Sequence, residues 1–176
     1  WNERSGNHYR VSSSQFLAVN EDGSNTRYGN IPLTTQVAMP YSFNTQAIIG
    51  GGNFYLFDDV NGFRQVTDPD VGTPIDGVWV DGYYFLTDGE SLYHTELNDE
   101  SQINPLSFAT AEFSPDPTVG LGTTADDKVI AFNRYTTEFF ANVASENFAF
   151  SRIQSRAIKI GLVATHAKCE LNQNWY

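Results

Sequence analysis

The feature that most constrains this chain is a unit that recurs along it: a short β-branched or aromatic run, a Gly/Asn/Asp turn, then an aromatic run. It appears at residues 8–19 ("HYRVSSSQFLAV"), 46–58 ("QAIIGGGNFYLFD"), 77–97 ("GVWVDGYYFLTDGESLYHTEL") and 127–143 ("DKVIAFNRYTTEFFANV"). Runs of this kind separated by turn residues read as β-hairpins. Phe16, Phe54, Tyr84 and Thr137, taken as equivalent turn exits, give spacings of 38, 30 and 53 residues. Blades of β-propellers recur at roughly 40 to 50 residues, each a four-stranded sheet that must stack on its neighbours to bury both faces. The expectation is an all-β, β-propeller-like repeat of antiparallel hairpins, incomplete, with about three to four blades, each hairpin supplying the middle strands of one. A β-sandwich has similar strand spacing and is the structural alternative.

Helical periodicity is nearly absent, and one short helical turn is expected within residues 150–164 ("FSRIQSRAIKIGLVA"), where "IKIGLVA" also reads as a strand. The Pro, Asp, Asn and Ser of residues 98–120 and 68–74 predict loops or blade connections. With 176 residues, 40% of them apolar and 14% aromatic, the chain has enough core material for one domain, 1–176. The start at Trp1 and the strand-like close at Trp175 and Tyr176 lead us to expect a piece of a longer chain. No run approaches the roughly 18 to 20 apolar residues of a membrane span. A lone cysteine, Cys169, leaves no intramolecular disulfide to staple the fold.

The formal charge is −11 and unevenly placed. Fifteen of the twenty-one acids lie between Asp58 and Asp127, where Arg64 is the only Lys or Arg. Such a surface repels phosphates and disfavours DNA wrapping by that stretch.

Signals for chemistry are weak. Gly50, Gly51 and Gly52 lead through Asn53 into "FYLF", a strand rather than the helix that a nucleotide-binding glycine loop requires, so "GGGN" reads as a hairpin turn and "DVNG" as the next. His8, His94 and His166 lie in no metal signature, and His166 with Cys169 offers two zinc ligands where four are needed. The turns "NEDGS" (20–24) and "DDVNG" (58–62) lack the ligand ladder of an EF-hand. Asp76, Asp81 and Asp88 are the candidates for a glycosidase carboxylate pair, with turn roles as the simpler reading. Trp79, Tyr83 and Tyr84 are candidates for stacking on a sugar, with core packing favoured because alternation sends Trp79 to one face of its strand and Val78 and Val80 to the other. No catalytic, cofactor or metal residues are assigned.

Residues 83–101 ("YYFLTDGESLYHTELNDES"), 119–143 ("VGLGTTADDKVIAFNRYTTEFFANV") and 155–167 ("SRAIKIGLVATHA") resemble the packaged-DNA stabilisation proteins of short-tailed phages, also called head-completion, tail-accessory or tail-hub proteins. "HYRVSSSQFLAV" extends the likeness toward the start. The resemblance implies a virion structural protein, not an enzyme and without cofactor, assembled in host cytoplasm as a homo-oligomeric ring below the portal. It would close the channel over packaged DNA, without sequence-specific DNA binding or a membrane, and bridge to the tail needle. The alternative is a carbohydrate-binding or glycoside-hydrolysing β-propeller. An open propeller exposes a blade edge, so self-association through strands near residues 1–12 or 165–176 is expected.

Overall fold

The computed structural model describes all residues except 1–5, 7, 33–35, 111–115 and 173. The described residues form antiparallel meanders in chain order. The first sheet holds β1 (His8–Ser12), β2 (Gln15–Val19) and β3 (Asn25–Asn30), and the second β4 (Val37–Ala38), β5 (Gln46–Gly50), β6 (Asn53–Asp58) and β7 (Gly62–Gln65). The third comprises β8 (Asp76–Val80), β9 (Tyr83–Thr87), β10 (Leu92–Glu96) and β11 (Asp99–Ala109), and the fourth β12 (Thr118–Thr123), β13 (Val129–Asn133), β14 (Thr137–Asn142) and β15 (Phe150–Arg152). A last hairpin pairs β16 (Glu170–Leu171) with β17 (Asn174–Trp175). Every sheet keeps sequence order, the pattern of propeller blades rather than of a sandwich with Greek-key crossings.

Alternation within each strand explains the stacking. Tyr55 and Phe57 face the first sheet, in a cluster with Tyr9, Phe16 and Ile48, while Phe54 and Leu56 face the third, in a cluster with Ile49, Tyr84, Leu86 and Tyr93. On β9 the parity continues: Tyr84 and Leu86 turn to the second sheet, Tyr83 and Phe85 to the fourth, where Leu121, Val129, Ala131 and Phe140 receive them. All five residues of β5 and all five of β9 are buried, because both faces of these sheets are covered. Trp79 joins the cluster of the second and third sheets and Val78 and Val80 the next one, as alternation requires. Tyr83 and Tyr84 are buried core residues.

The middle-strand expectation holds for residues 46–58 (β5–β6) and 127–143 (β13–β14). Residues 77–97 instead span β8, β9 and β10, and Tyr84 sits on β9, the second strand of its sheet, whereas Phe54 and Thr137 lie at the start of the third strands β6 and β14, and Phe16 at the start of β2. With β10 as the equivalent of β6 and β14, the first residues Gln15, Asn53, Leu92 and Thr137 are spaced 38, 39 and 45 apart, so the repeat is regular at blade size. The first sheet matches the outer three strands of a blade, since β3 lies beside β7, and Gly29 is required there: a Cβ would stand 2.0 Å from the Phe63 ring.

Turn chemistry agrees with the sequence at "GGGN", where Gly51 and Gly52 both take positive φ (61° and 74°) between β5 and β6. Two expectations are corrected. Residues 99–109, read as loop, form the eleven-residue strand β11; it tolerates Pro105 because it is the outer edge of its sheet and its register with β10 is interrupted. Residues 158–164, read as strand, form only the isolated bridge of Ile158 with Thr137. A 3-10 turn at Gln154–Arg156 fits the expected helical turn, and a second, Pro69–Val71, begins where Asp68 caps the Asp70 amide.

The third and fourth sheets are also joined by His94, which is 3% exposed. Its Nε2 accepts from the Ala149 amide at 3.0 Å, and its Nδ1 lies 2.8 Å from the Thr95 carbonyl, to which it donates as the neutral tautomer. Burial pushes the imidazole below its ordinary value of 6.5. Because the folded state disfavours the charged form, the stability is fully present above about 6.5 and is lost as pH falls toward the lowered folded-state value. Urea unfolding at pH 7.5 and pH 5 should therefore show a loss in acid that is smaller in His94→Gln, while His94→Gln is itself less stable at pH 7.5 by about 1–3 kcal/mol.

Candidate functional site

Two concavities flank Trp79. The first lies along the innermost strands, where β8 runs beside both β4 and β12. After β15 the chain turns back onto the fourth sheet: the Leu162 amide donates to the Asn133 carbonyl at 2.8 Å, and Trp175 Nε1 donates to the Thr123 carbonyl at 2.8 Å with its ring 5.5 Å from that of Phe132. A groove of about 530 Å³ remains between the inner strands and this returning segment, lined among others by Trp79, Asp76, His166, Lys168 and Trp175. Lys168 reaches into it and bonds both the Asp76 carboxylate and the Leu121 carbonyl. The Leu121 amide donates to Asp76 Oδ2 at 2.7 Å, so one carboxylate ties the third sheet, the fourth sheet and the returning segment together.

The second concavity is a cleft of about 630 Å³ where turns of the second and third sheets converge: the β4–β5 loop, the β6–β7 turn, the β8–β9 turn and the β10–β11 turn. In an up-and-down meander alternate turns emerge at the same end, so these four belong to one face of the stack. Phe43, 60% exposed, packs edge-on against Trp79 at 4.6 Å with the ring planes at 82°. Asp58, Asp59, Asp99 and Glu100 line the same cleft. Arg64 pairs with Asp58 at 2.6 Å, and Asp58 also accepts from the Val60 and Asn61 amides, which together hold its carboxyl low against the opposing effect of burial. Glu100 accepts from the Thr45 hydroxyl, and Tyr84 donates its phenol to the Thr45 carbonyl at 2.9 Å. Burial pushes the Tyr84 phenol well above its ordinary value, so it is a fixed donor here.

The three candidate acids form no glycosidase pair: Asp88 directly follows Thr87, the register partner of Asp76, but the alternation of the strand sets it on the other parity. Asp76 and Asp81 stand at opposite ends of β8, roughly 16 Å apart at about 3.3 Å per residue, beyond the reach of a glycosidase pair. Asp81 takes a left-handed turn conformation (φ 50°), and Asp88 accepts from the Glu90 and Ser91 amides at 2.9 and 2.7 Å, so both serve turns. Asp76 does not, contrary to the simple reading: it is 3% exposed on a strand and anchors two sheets. Asp22 and Asp58 likewise cap the turns at 20–24 and 58–62. His8, His166 and Cys169 are exposed, and among the described residues no three His, Cys, Asp or Glu side chains gather to hold a metal. The cleft residues Phe43, Thr45 and Glu100 escaped the sequence reading. The available signal was Phe43 itself, an aromatic in the Ser/Asn loop "YSFNT" outside any strand.

The Asp76–Lys168 pair has side chains only 4% and 14% exposed, so losing one partner strands a buried charge. Asp76→Ala is expected to cost about 3–5 kcal/mol in urea unfolding. Asp76→Asn combined with Lys168→Met should recover much of that loss, since the stranded charge is gone.

A comparison with curated protein sequences returns no match. Among solved structures, PorZ, an essential bacterial surface component of the type-IX secretion system of Porphyromonas gingivalis, matches with a TM-score of 0.54 at 12% identity, over 84% of this chain and 21% of that one. A protein from Lactobacillus plantarum matches with a TM-score of 0.50 at 13% identity, over 80% of this chain and 50% of that one. The chain thus spans about a fifth and a half of the lengths of these two, and such low identities carry the fold alone. A family model described as "Bacteriophage P22 Gp10, beta-propeller" matches residues 1–176. With all of its residues matched and its sheets stacked as blades, the chain belongs to this family of phage stabilisation proteins.

Proposed function

We propose that the protein is a non-enzymatic structural part of the phage head–tail connector, which closes the portal channel over packaged DNA and links it to the tail needle. The observation that carries this reading is the family match across residues 1–176. Several copies form a ring on the portal-side protein, after assembly in host cytoplasm, and residues 1–176 act as one propeller domain of a longer chain. Two physical features support it. Sheets buried on both faces resist deformation, as a plug under the pressure of packed DNA must. Fifteen acids between Asp58 and Asp127 give a wall along which DNA passes without sticking. Contacts to neighbouring subunits fall to the loops and to sheet edges, including β1, which among the described strands pairs only with β2.

Phage lacking the protein should package DNA into heads and then lose it, giving a normal initial DNA content that falls to empty heads on storage, as followed by nuclease sensitivity and electron microscopy. Heads that retain DNA, together with an infection defect rescued by added polysaccharide-degrading enzyme, would contradict the proposal and favour a carbohydrate-active propeller.

A further inference from the structure

The cleft between the second and third sheets has a composition that the closure of a channel does not use. Its lining carries four carboxylates, Asp58, Asp59, Asp99 and Glu100, against the single guanidinium of Arg64, which leaves three formal negative charges after pairing. The same lining includes an apolar part, the edge-on pair of Phe43 and Trp79. Val60, 91% exposed, lines the cleft, and Leu97, 54% exposed, lies close to Gly82 of its rim. A volume of about 630 Å³ is in the range of sites that enclose a ligand or a few residues of peptide.

We infer that this cleft docks an extended segment of a partner polypeptide in which a Lys or Arg adjoins a large apolar side chain. The cation takes the carboxylates of Asp59, Asp99 and Glu100, and the apolar residue packs on Phe43 and Trp79 beside Val60. Charge complementarity selects the cation: the acidic lining has three charges with no basic partner in the cleft, and an arginine seated there also gains from a nearby indole. The apolar part selects the neighbour, since burying an exposed Phe and Val together contributes more than either charge contact near the surface. A sugar is a poorer occupant because the rings meet at 82° and offer no coplanar platform for a pyranose. A nucleic-acid strand is poorer still, as its phosphates would face carboxylates. The inference does not depend on the connector role: any partner displaying such a segment fits.

The test is fluorescence anisotropy with two labelled peptides of equal length, one alternating Arg with Leu and Phe, the other with Glu in place of Arg, titrated with the whole chain. The basic peptide should bind, and the acidic one should bind at least tenfold more weakly. Asp59→Lys and Phe43→Ala, both at exposed positions, should each weaken the basic peptide at least tenfold. Glu90→Lys makes the same charge change in the β9–β10 turn, at the opposite end of the sheet, and should leave affinity within twofold. An equal loss in Glu90→Lys would overturn the inference in favour of general attraction to an acidic protein. Equal binding of the two peptides, no binding of either, or capture of glycans that Phe43→Ala abolishes would overturn it as well.

Discussion

A β-sheet that is apolar on both faces has to be covered twice, and this requirement organises the whole chain. The period-2 alternation of a strand sends neighbouring residues to opposite faces, so "FYLF" in β6 gives Phe54 and Leu56 to one neighbouring sheet and Tyr55 and Phe57 to the other. "YYFL" in β9 does the same one sheet along. Each large side chain so buried contributes about 1.5–3 kcal/mol, but only while the adjacent sheet is present, which makes the sheets mutually dependent. Stacking successive meanders is the arrangement that covers every face in chain order. His94 and Asp76 then add directional bonds across seams that the apolar clusters alone would leave free to slide.

Burying the sheets leaves the turns and the returning segment to meet other molecules. Turns at one end of the stack bring Phe43 and Asp59 of the second sheet and Glu100 of the third to a common cleft. At the inner edge, residues after β15 fold back so that Lys168 neutralises Asp76, and an acid in the most negative stretch of the chain becomes a structural pin. Sheets buried on both faces with polar groups gathered at their ends form a rigid scaffold, and the chain belongs to the phage stabilisation family.

Much of the fold was legible because it is written in local terms. The turn at Gly51 and Gly52, the strands β5, β6, β9 and β13, and the division of Trp79 from Val78 and Val80 all follow from backbone freedom and parity. What stayed hidden depends on distant partners. Strand β11 is rich in Asp, Asn and Ser because its outer edge faces solvent, and such a composition is indistinguishable from a loop until β10 is there to pair with it. "IKIGLVA" has strand composition, yet its one β pairing is the bridge of Ile158 with Thr137, and the segment then turns so that the Leu162 amide donates to the Asn133 carbonyl. Asp76 looked like a turn residue since the Lys168 that buries it lies 92 positions away. The cleft was invisible for the same reason: four turns from two sheets make it, and of its lining Trp79 and the turn at 58–62 drew notice in the sequence, each for a separate reason.

Hydrogen exchange of the native chain tests the central claim, that the sheets are stable only as a stack. The β5, β6, β9 and β10 amides should share one opening free energy and one dependence on urea, with Phe54→Ala in the second sheet lowering protection in β9 and β10 of the third by the same amount. Protection in β9 and β10 that is unchanged by Phe54→Ala would mean that the third sheet holds together without its neighbour, and the account would be wrong.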